Sequence, residues 1–342
     1  MLYDCPNHKL LGDKLDVVTC VVIYDQLPRH VYRNMGVEYV VEHFLEKALE
    51  VTEWFLKTLS EADLPSVPWC FLMMPYRHTR IVKHVHFAVR MAWDRPVIDD
   101  VIKRFLKAAY MRCPKEQNDD LVIRNPSNRF GGGWEHVLDH RVQCGIWSEF
   151  KIESIVHDLK RIKADGIKTV VASLSGGVDS MVMTAAMKFA VDELDLGINI
   201  VAVHINYCNR TSSDDEEAFV VDWCKRKLGM DVYVRRMFEI HRPTCMANDL
   251  RAVYETYTRN VRYSVYKYTA CMLGEEIPVV YLGHNYDDCM ENIITNVNDK
   301  KKYDNLLGMS KVSVADGIQF VRPMLTMKKS EITELARCHG IP

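Results

Sequence analysis

Thr169-Val-Val-Ala-Ser-Leu174 runs straight into Ser175-Gly176-Gly177-Val178-Asp179-Ser180, and Met181-Val-Met-Thr-Ala-Ala-Met-Lys-Phe-Ala-Val-Asp-Glu-Leu194 then carries a helical pattern. A short apolar run, a glycine pair and a helix in direct succession read as a strand, a tight loop and the helix that leaves it. The two glycines permit backbone angles closed to other residues and leave room for close approach. The N–H groups of a helix start and the serine hydroxyls are donors for an anion. The loop is therefore suited to cradle phosphate groups. It lacks the Gly-Lys-Ser/Thr of a Walker A loop and the G-x-G-x-x-G spacing of dinucleotide folds.

On both sides of this loop the pattern alternates. Glu149 to Gly166 is helix-like, Ile198 to Ile205 apolar, the segment through Trp223 helical, Val232 to Arg235 a strand, Asn248 to Leu273 a long helix, and Pro278 to Gly283 another apolar run. Short apolar runs separated by helical patterns predict an α/β fold: a Rossmann-like parallel sheet with crossover helices on both faces. Ligands in such sheets bind beyond the carboxyl ends of the strands, where the Ser175–Ser180 loop falls.

The preceding chain has a different texture. Val37 to Leu59, His78 to Ala92 and Val97 to Met111 carry apolar residues at roughly helical spacing, which predicts a mainly α-helical N-terminal domain over 1–112. Asp63 to Pro75 holds three prolines, which are expected to interrupt any helix. Cys113 to Gly133 combines two prolines, an acidic and amide cluster and three successive glycines. Residues 113–147 are accordingly expected to form a linker and 148–342 the α/β domain.

Of the 342 residues 48% are hydrophobic, enough to fill cores, which excludes a disordered or fibrous chain. The net charge of −2 shows no general basic excess, so a nucleic-acid partner would need a local patch. Lys225-Arg226-Lys227, Arg235-Arg236 and Lys300-Lys301-Lys302 are the candidate clusters for phosphate contact. Eleven cysteines, an odd number without a C-x-x-C pair, fit neither a zinc ribbon nor a disulfide framework. Reduced thiols in a cytoplasmic, soluble protein are expected. There is no apolar run after a basic start, and no window of roughly 18 uncharged apolar residues.

The Ser-Gly-Gly-x-Asp-Ser loop matches the signature of the PP-loop ATP pyrophosphatases, and residues 168–342 resemble the tRNA(Ile)-lysidine synthetase branch. His204-Ile-Asn206-Tyr207-Cys-Asn-Arg210 looks like H-x-N-H-x-x-R with Tyr207 in place of the histidine. Glu255, Arg259, Arg262 and Tyr263 are similar to E-x-x-A-R-x-x-R-Y with Thr258 for the alanine, and His284-Asn-Tyr-Asp287-Asp288-Cys-Met-Glu291 resembles H-x-x-D-D-x-x-E. Gly308-Met309, Val321-Arg322-Pro323-Met324-Leu325 and the Lys329–Pro342 segment look like the family's G-M, I-R-P-L-L and K-x-E-I…A…G-I-P segments.

This resemblance implies ATP-dependent adenylation of a cytidine in tRNA, followed by ligation of lysine with release of AMP and pyrophosphate. It implies that Ser175, Gly176, Gly177, Val178, Asp179, Ser180 and His204 hold ATP and pyrophosphate, with Asp179 and Asp287 as ligands for Mg²⁺. Asp179, Asp287, Asp288 and Arg259 would be catalytic, and Asp288, Glu291 and Arg259 would recognise lysine. Arg210, Arg262, His284 and Arg322 would contact RNA or nucleotide. Two other readings keep part of this: a PP-loop ATP pyrophosphatase with a small-molecule or other RNA acceptor, and a nucleotide-binding scaffold without turnover. The missing C-x-x-C weighs against the tRNA-thiolating branch. Lysidine synthetases continue past G-I-P into further tRNA-gripping domains, so this chain is expected either to be truncated after Pro342 or to recognise tRNA differently.

A second resemblance lies in the N-terminal part. Asp25-Gln26-Leu-Pro28-Arg29-His-Val-Tyr32-Arg33 and Phe71-Leu-Met-Met-Pro75-Tyr76-Arg77-His78-Thr79 are similar to D-Q-x-P-R-x-x-Y-R and F-x-x-x-P-x-x-H-S-E of an uncharacterised bacterial family of tetratricopeptide-like helical proteins. It implies a helical fold. Asp25 is expected to cap a helix, with Arg29 and Arg33 on one side of it.

Overall fold

The computed structural model describes residues 13–112, 122–124, 151–298 and 308–342. The chain forms two compact units, Met1–Gln117 with Glu239–Asn260, and Asn118–Phe238 with Val261–Pro342. The return of Glu239–Asn260 to the helical unit is invisible to a division drawn at residue 148.

The helical unit contains α1 (Lys14–Val31), α2 (Val37–Val40), α3 (Glu46–Thr58), α4 (Ser66–His78), α5 (Val82–Trp93) and α6 (Asp100–Arg112). Asp13 caps α1 by accepting the Leu15 N–H at 2.6 Å. Phe55, Trp69, Leu72, Met73, Ile102 and Leu106 are fully buried and form the centre of this unit. Each such side chain contributes about 1.5–3 kcal/mol of burial. The proline-rich stretch expected to break helices is α4. Pro65 precedes the helix, Pro68 lies in its first turn, where a missing N–H costs nothing, and only Pro75 removes an internal bond. Asp25 also departs from expectation: it sits inside α1, 1% exposed, and caps nothing.

The second unit is a seven-stranded sheet of order β1-β4-β3-β2-β5-β7-β6. Its elements are β1 (Val122–Arg124), α7 (Glu153–Ala164), β2 (Thr169–Ser173), α8 (Val178–Glu193), β3 (Asn199–Asn206), α9 (Ser213–Trp223) and β4 (Val232–Arg236). α10 (Arg242–Ala247) and the first residues of α11 (Arg251–Met272) belong to the helical unit, and β5 (Val279–Tyr281), α12 (Tyr286–Asn298), β6 (Val312–Ala315), β7 (Ile318–Val321) and α13 (Lys329–Cys338) complete the sheet unit. The five central strands are parallel, while β1 and β6 add antiparallel edges. β2, β4 and β5 are buried almost throughout, as strands covered on both faces must be. α8 is apolar nearly all round, with Met181, Val182, Met183, Ala185, Ala186 and Met187 buried, because it packs within this core.

The expected linker, 113–147, lies outside the described residues except for β1, which pairs with β4. The Lys300–Lys302 cluster also lies outside them. Among the described residues no helix is long and apolar enough to cross a membrane.

Candidate active site

β3 follows β2 on one side of it while β5 lies on the other, so the strand order reverses at β2. The loops leaving β2 and β5 flank that reversal, the place where open α/β sheets bind ligands. A cavity of about 410 Å³ opens there, lined by Ser175, Gly177, Asp179 and Ser180 from the first loop and by Leu282, Gly283, His284 and Asp288 from the second. Arg262, Tyr263 and Tyr266 of α11, with Ser173, Phe320 and Arg322, complete it.

The first loop is held by its own hydroxyls. Ser180 Oγ donates to Gly177 O at 2.8 Å, lies 3.0 Å from Ser175 Oγ and accepts the Ser175 N–H at 3.2 Å. Gly176 has φ +85, and a Cβ there would meet Val220 at 3.0 Å, so both angle and space require glycine. Gly177 is the N-cap of α8 and, having no side chain, supplies no cap. The first-turn N–H groups that an absent cap leaves open are donors for phosphate.

Asp179 stands in the first turn of α8. Its Oδ2 pairs with the Lys329 ammonium at the start of α13, while Oδ1 is buried without a partner. The Lys329 N–H donates to Asp287 Oδ2 at 2.7 Å, so one residue of α13 engages both carboxylates. Asn285 and Asp288 cap α12 reciprocally: Asp288 Oδ2 accepts the Asn285 N–H at 3.0 Å and Asn285 Oδ1 accepts the Asp288 N–H at 3.1 Å. Asp288 thus both caps its helix and lines the cavity.

The basic side chains of the cavity are only partly engaged. Arg322 donates to Ser310 O at 3.0 Å and Ser313 Oγ at 2.9 Å and stacks over Phe320, but its Nε is buried and unpartnered. Arg262 Nε is likewise buried and unpartnered. Burial, reinforced by the nearby Arg322, lowers the His284 pKa below the ordinary imidazole value despite the pull of Asp288, and its Nδ1 has no partner. Tyr266, bonded to Ser173 Oγ at 2.7 Å, is pushed up to about 12 by burial and stays a neutral phenol. Unpartnered buried polar atoms are rare in folded proteins; here four of them, on Asp179, Arg262, His284 and Arg322, belong to the lining of one cavity.

The remaining expected site residues fall outside the lining. His204 is 3% exposed and its Nδ1 donates to Leu174 O at 2.9 Å, which ties β3 to the start of the Ser175 loop. Arg210 pairs with Glu216 at 2.7 Å on the surface. Asp287, Arg259 and Glu291 are exposed, and Arg259 belongs to the helical unit. Of the basic clusters, Arg235-Arg236 is no phosphate surface: Arg235 is fully buried, and Arg236 is bound through Nε and Nη2 to the buried Glu217, both at 2.7 Å. Sequence reasoning missed Tyr266, Phe320 and the need for glycine at 283. Gly283 has no unusual φ; only its three-dimensional neighbours reveal the constraint.

As to Mg²⁺, Asp179 Oδ1 offers an open, buried oxygen beside the phosphate-type loop, which suits a hard cation shared with phosphate oxygens. Among the described residues no group of three or more His, Cys, Asp and Glu side chains is placed to hold a metal by itself.

A nucleotide-type loop at the switch point of a parallel sheet defines a class, and sequence comparison agrees with it. Residues 149–342, more than half of the chain, match the family model described as PP-loop domain; the chain belongs to this family, whose members use ATP. Residues 6–113 match a second model, described as bacterial protein of unknown function (DUF924). Among curated proteins the chain is similar to tRNA(Ile)-lysidine synthase of Streptococcus equi subsp. equi, 29% identical over 173 residues, which is 51% of this chain and 36% of that protein. It is similar also to tRNA(Ile)-lysidine synthase of Mesoplasma florum, 30% identical over 176 residues, 51% of this chain and 40% of that protein. The chain therefore spans well under half the length of these relatives. Among solved structures it is similar to the U34-tRNA thiolase NcsA from Methanococcus maripaludis with its 4Fe-4S cluster, with TM-score 0.40 and 17% identity over 55% of this chain and 65% of that one.

Proposed function

We propose that the sheet unit activates an oxygen of a tRNA base, a cytidine, by adenylation, and that the amine of free lysine then displaces AMP. The observation that carries this reading is the joining of the Ser175–Ser180 loop, Asp288 and two incompletely bonded arginines in one cavity. Similarity to the lysidine synthases supports the choice of acceptor and amine.

In the first step the base oxygen bonds to the α-phosphorus of ATP, and the bond from that phosphorus to the pyrophosphate oxygen breaks. The open N–H groups of α8 and the Ser175 hydroxyl take the charge of the departing pyrophosphate, while Ser180, whose hydroxyl donates to Gly177 O, holds the loop in shape. Arg262 and Arg322, in the lining of the same cavity, supply fixed positive charge, and a guanidinium fork matches phosphate oxygens. Bound Mg²⁺, with Asp179 as its protein ligand, would add charge compensation for the phosphates. In the second step the amine attacks the activated carbon, AMP leaves with the bonding electrons, and the amine loses a proton. Neutral His284, at the cavity wall, is the residue with a free ring nitrogen to receive it. Asp288 offers its carboxylate to the second amine of lysine.

A second reading is favoured by one observation: of the two carboxylates Asp288 and Glu291, only Asp288 lines the cavity. In that reading the adenylation chemistry is unchanged and the acceptor is a small molecule. ATP–pyrophosphate exchange separates the two. Stimulation by tRNA supports the first reading; stimulation by metabolites with tRNA inert supports the second.

A further inference from the structure

Within the helical unit, α1 and α4 bring three charged side chains and a histidine together. Asp25 is 1% exposed, and His78 Nδ1 lies 2.9 Å from both of its oxygens. Arg29 Nε donates to Asp25 Oδ1 at 3.0 Å, and the Gln26 amide bonds to Oδ2. Arg77, 8% exposed, has Nη2 at 3.3 Å from His78 Nε2 and 3.6 Å from Met74 Sδ, and its guanidinium lies over the Phe105 ring.

Asp25 is saturated by these donors, yet Arg29 Nη2 and Arg77 Nε are buried with no acceptor. The charges do not balance either. Guanidinium groups keep their charge at any physiological pH, so two cations face one carboxylate. Burial lowers the His78 pKa against the opposing pull of Asp25, which favours a neutral imidazole that adds nothing to the surplus, and Arg112 brings further positive charge towards Arg77. A buried cation with open N–H groups is costly until an anion completes it.

We propose that Arg29 and Arg77 form a binding subsite for the oxyanion group of a small molecule, a carboxylate or a phosphate, with Asp25 and His78 as the frame that holds Arg29. The planar fork of each arginine matches such groups. Arg77 is 8% exposed and the side chain of His78 9%. The subsite shares no residue with the cavity of the sheet unit.

The test is side-chain Nε–H NMR on the full-length chain, titrated separately with inorganic phosphate and with acetate at constant ionic strength, the Arg77 signal being assigned with Arg77→Lys. The expected result is a saturable shift of the Arg77 signal with at least one of the two anions. The anion that acts identifies the source. The shift should persist in a Ser175→Ala/Ser180→Ala chain, whose PP-loop hydroxyls are removed. Arg29→Gln should weaken it about tenfold or more, the loss of one charge-assisted contact. If Arg29→Gln does not fold, Arg29→Lys, which keeps the charge but not the fork, should still weaken it. An Arg77 signal that stays still, or drifts linearly, with both anions overturns the proposal and leaves these guanidiniums to water.

Discussion

A Cβ on Gly283 would lie 2.9 Å from the backbone nitrogen of Ser180. The chain leaving β5 thus crosses the first turn of α8 at a separation only glycine allows. Gly283→Ala is expected to push the two segments apart, destabilise the protein by about 1–3 kcal/mol as overpacking does, and lower ATP–pyrophosphate exchange by about tenfold or more, since misplaced catalytic groups are costly. Urea unfolding and the exchange assay measure both. Wild-type exchange in the variant would refute the importance of this contact.

Asp179 offers one free buried oxygen and one paired with Lys329. Because the lysine is half exposed, the pair is worth only about 0–1 kcal/mol to folding. Asp179→Asn should therefore unfold at nearly the wild-type urea concentration while exchange falls by about 10²-fold or more, the scale of losing a transition-state charge contact. Equal losses of stability and activity would assign Asp179 a structural role.

Burial lowers the pKa of His204 in the folded state. The unfolded chain then takes up a proton near pH 6.5 that the folded chain does not. Stability is full above that pH and falls on acidification until the folded value is passed, by up to about 1.4 kcal/mol per pH unit for each such histidine. His284 shifts in the same direction and adds to the slope. His204→Asn, whose amide can still donate to Leu174 O, should flatten the decline below pH 6.5 in a pH series of urea melts. An unchanged slope would contradict the assignment.

Glu217, its side chain 1% exposed, binds Arg236 through two 2.7 Å contacts and accepts from Asn206 Nδ2 at 2.9 Å. Hydrogen bonding to Glu217 raises the Arg236 pKa further. Glu217→Ala should cost about 3–5 kcal/mol, the usual penalty for stranding one partner of a buried pair. Glu217→Gln combined with Arg236→Gln should cost much less. Equal costs would show that burial, not pairing, sets the stability here.

The sheet was readable because β2, β3, β4 and β5 are apolar runs separated by helical periods, and the loop after β2 carries its chemistry in consecutive residues. The antiparallel β6–β7 pair escaped notice because its strands are four residues each and β6 is half exposed. Pro68 and Pro75 concealed α4, since a proline count ignores whether each ring falls where an N–H is needed. At the site, Ser175 to Ser180, His284 and Asp288 were legible as local motifs. His204 carries a motif residue's identity but holds the backbone at Leu174, and Tyr266 and Phe320 enter through packing alone.

The central claim is that this cavity adenylates a tRNA base for attack by lysine. Mass spectrometry of the nucleosides from tRNA incubated with the protein, ATP, Mg²⁺ and lysine tests it most directly. The account predicts a cytidine-derived nucleoside carrying lysine, formed one-for-one with AMP and pyrophosphate and absent with Asp179→Asn. AMP and pyrophosphate released with every tRNA nucleoside unchanged would contradict it.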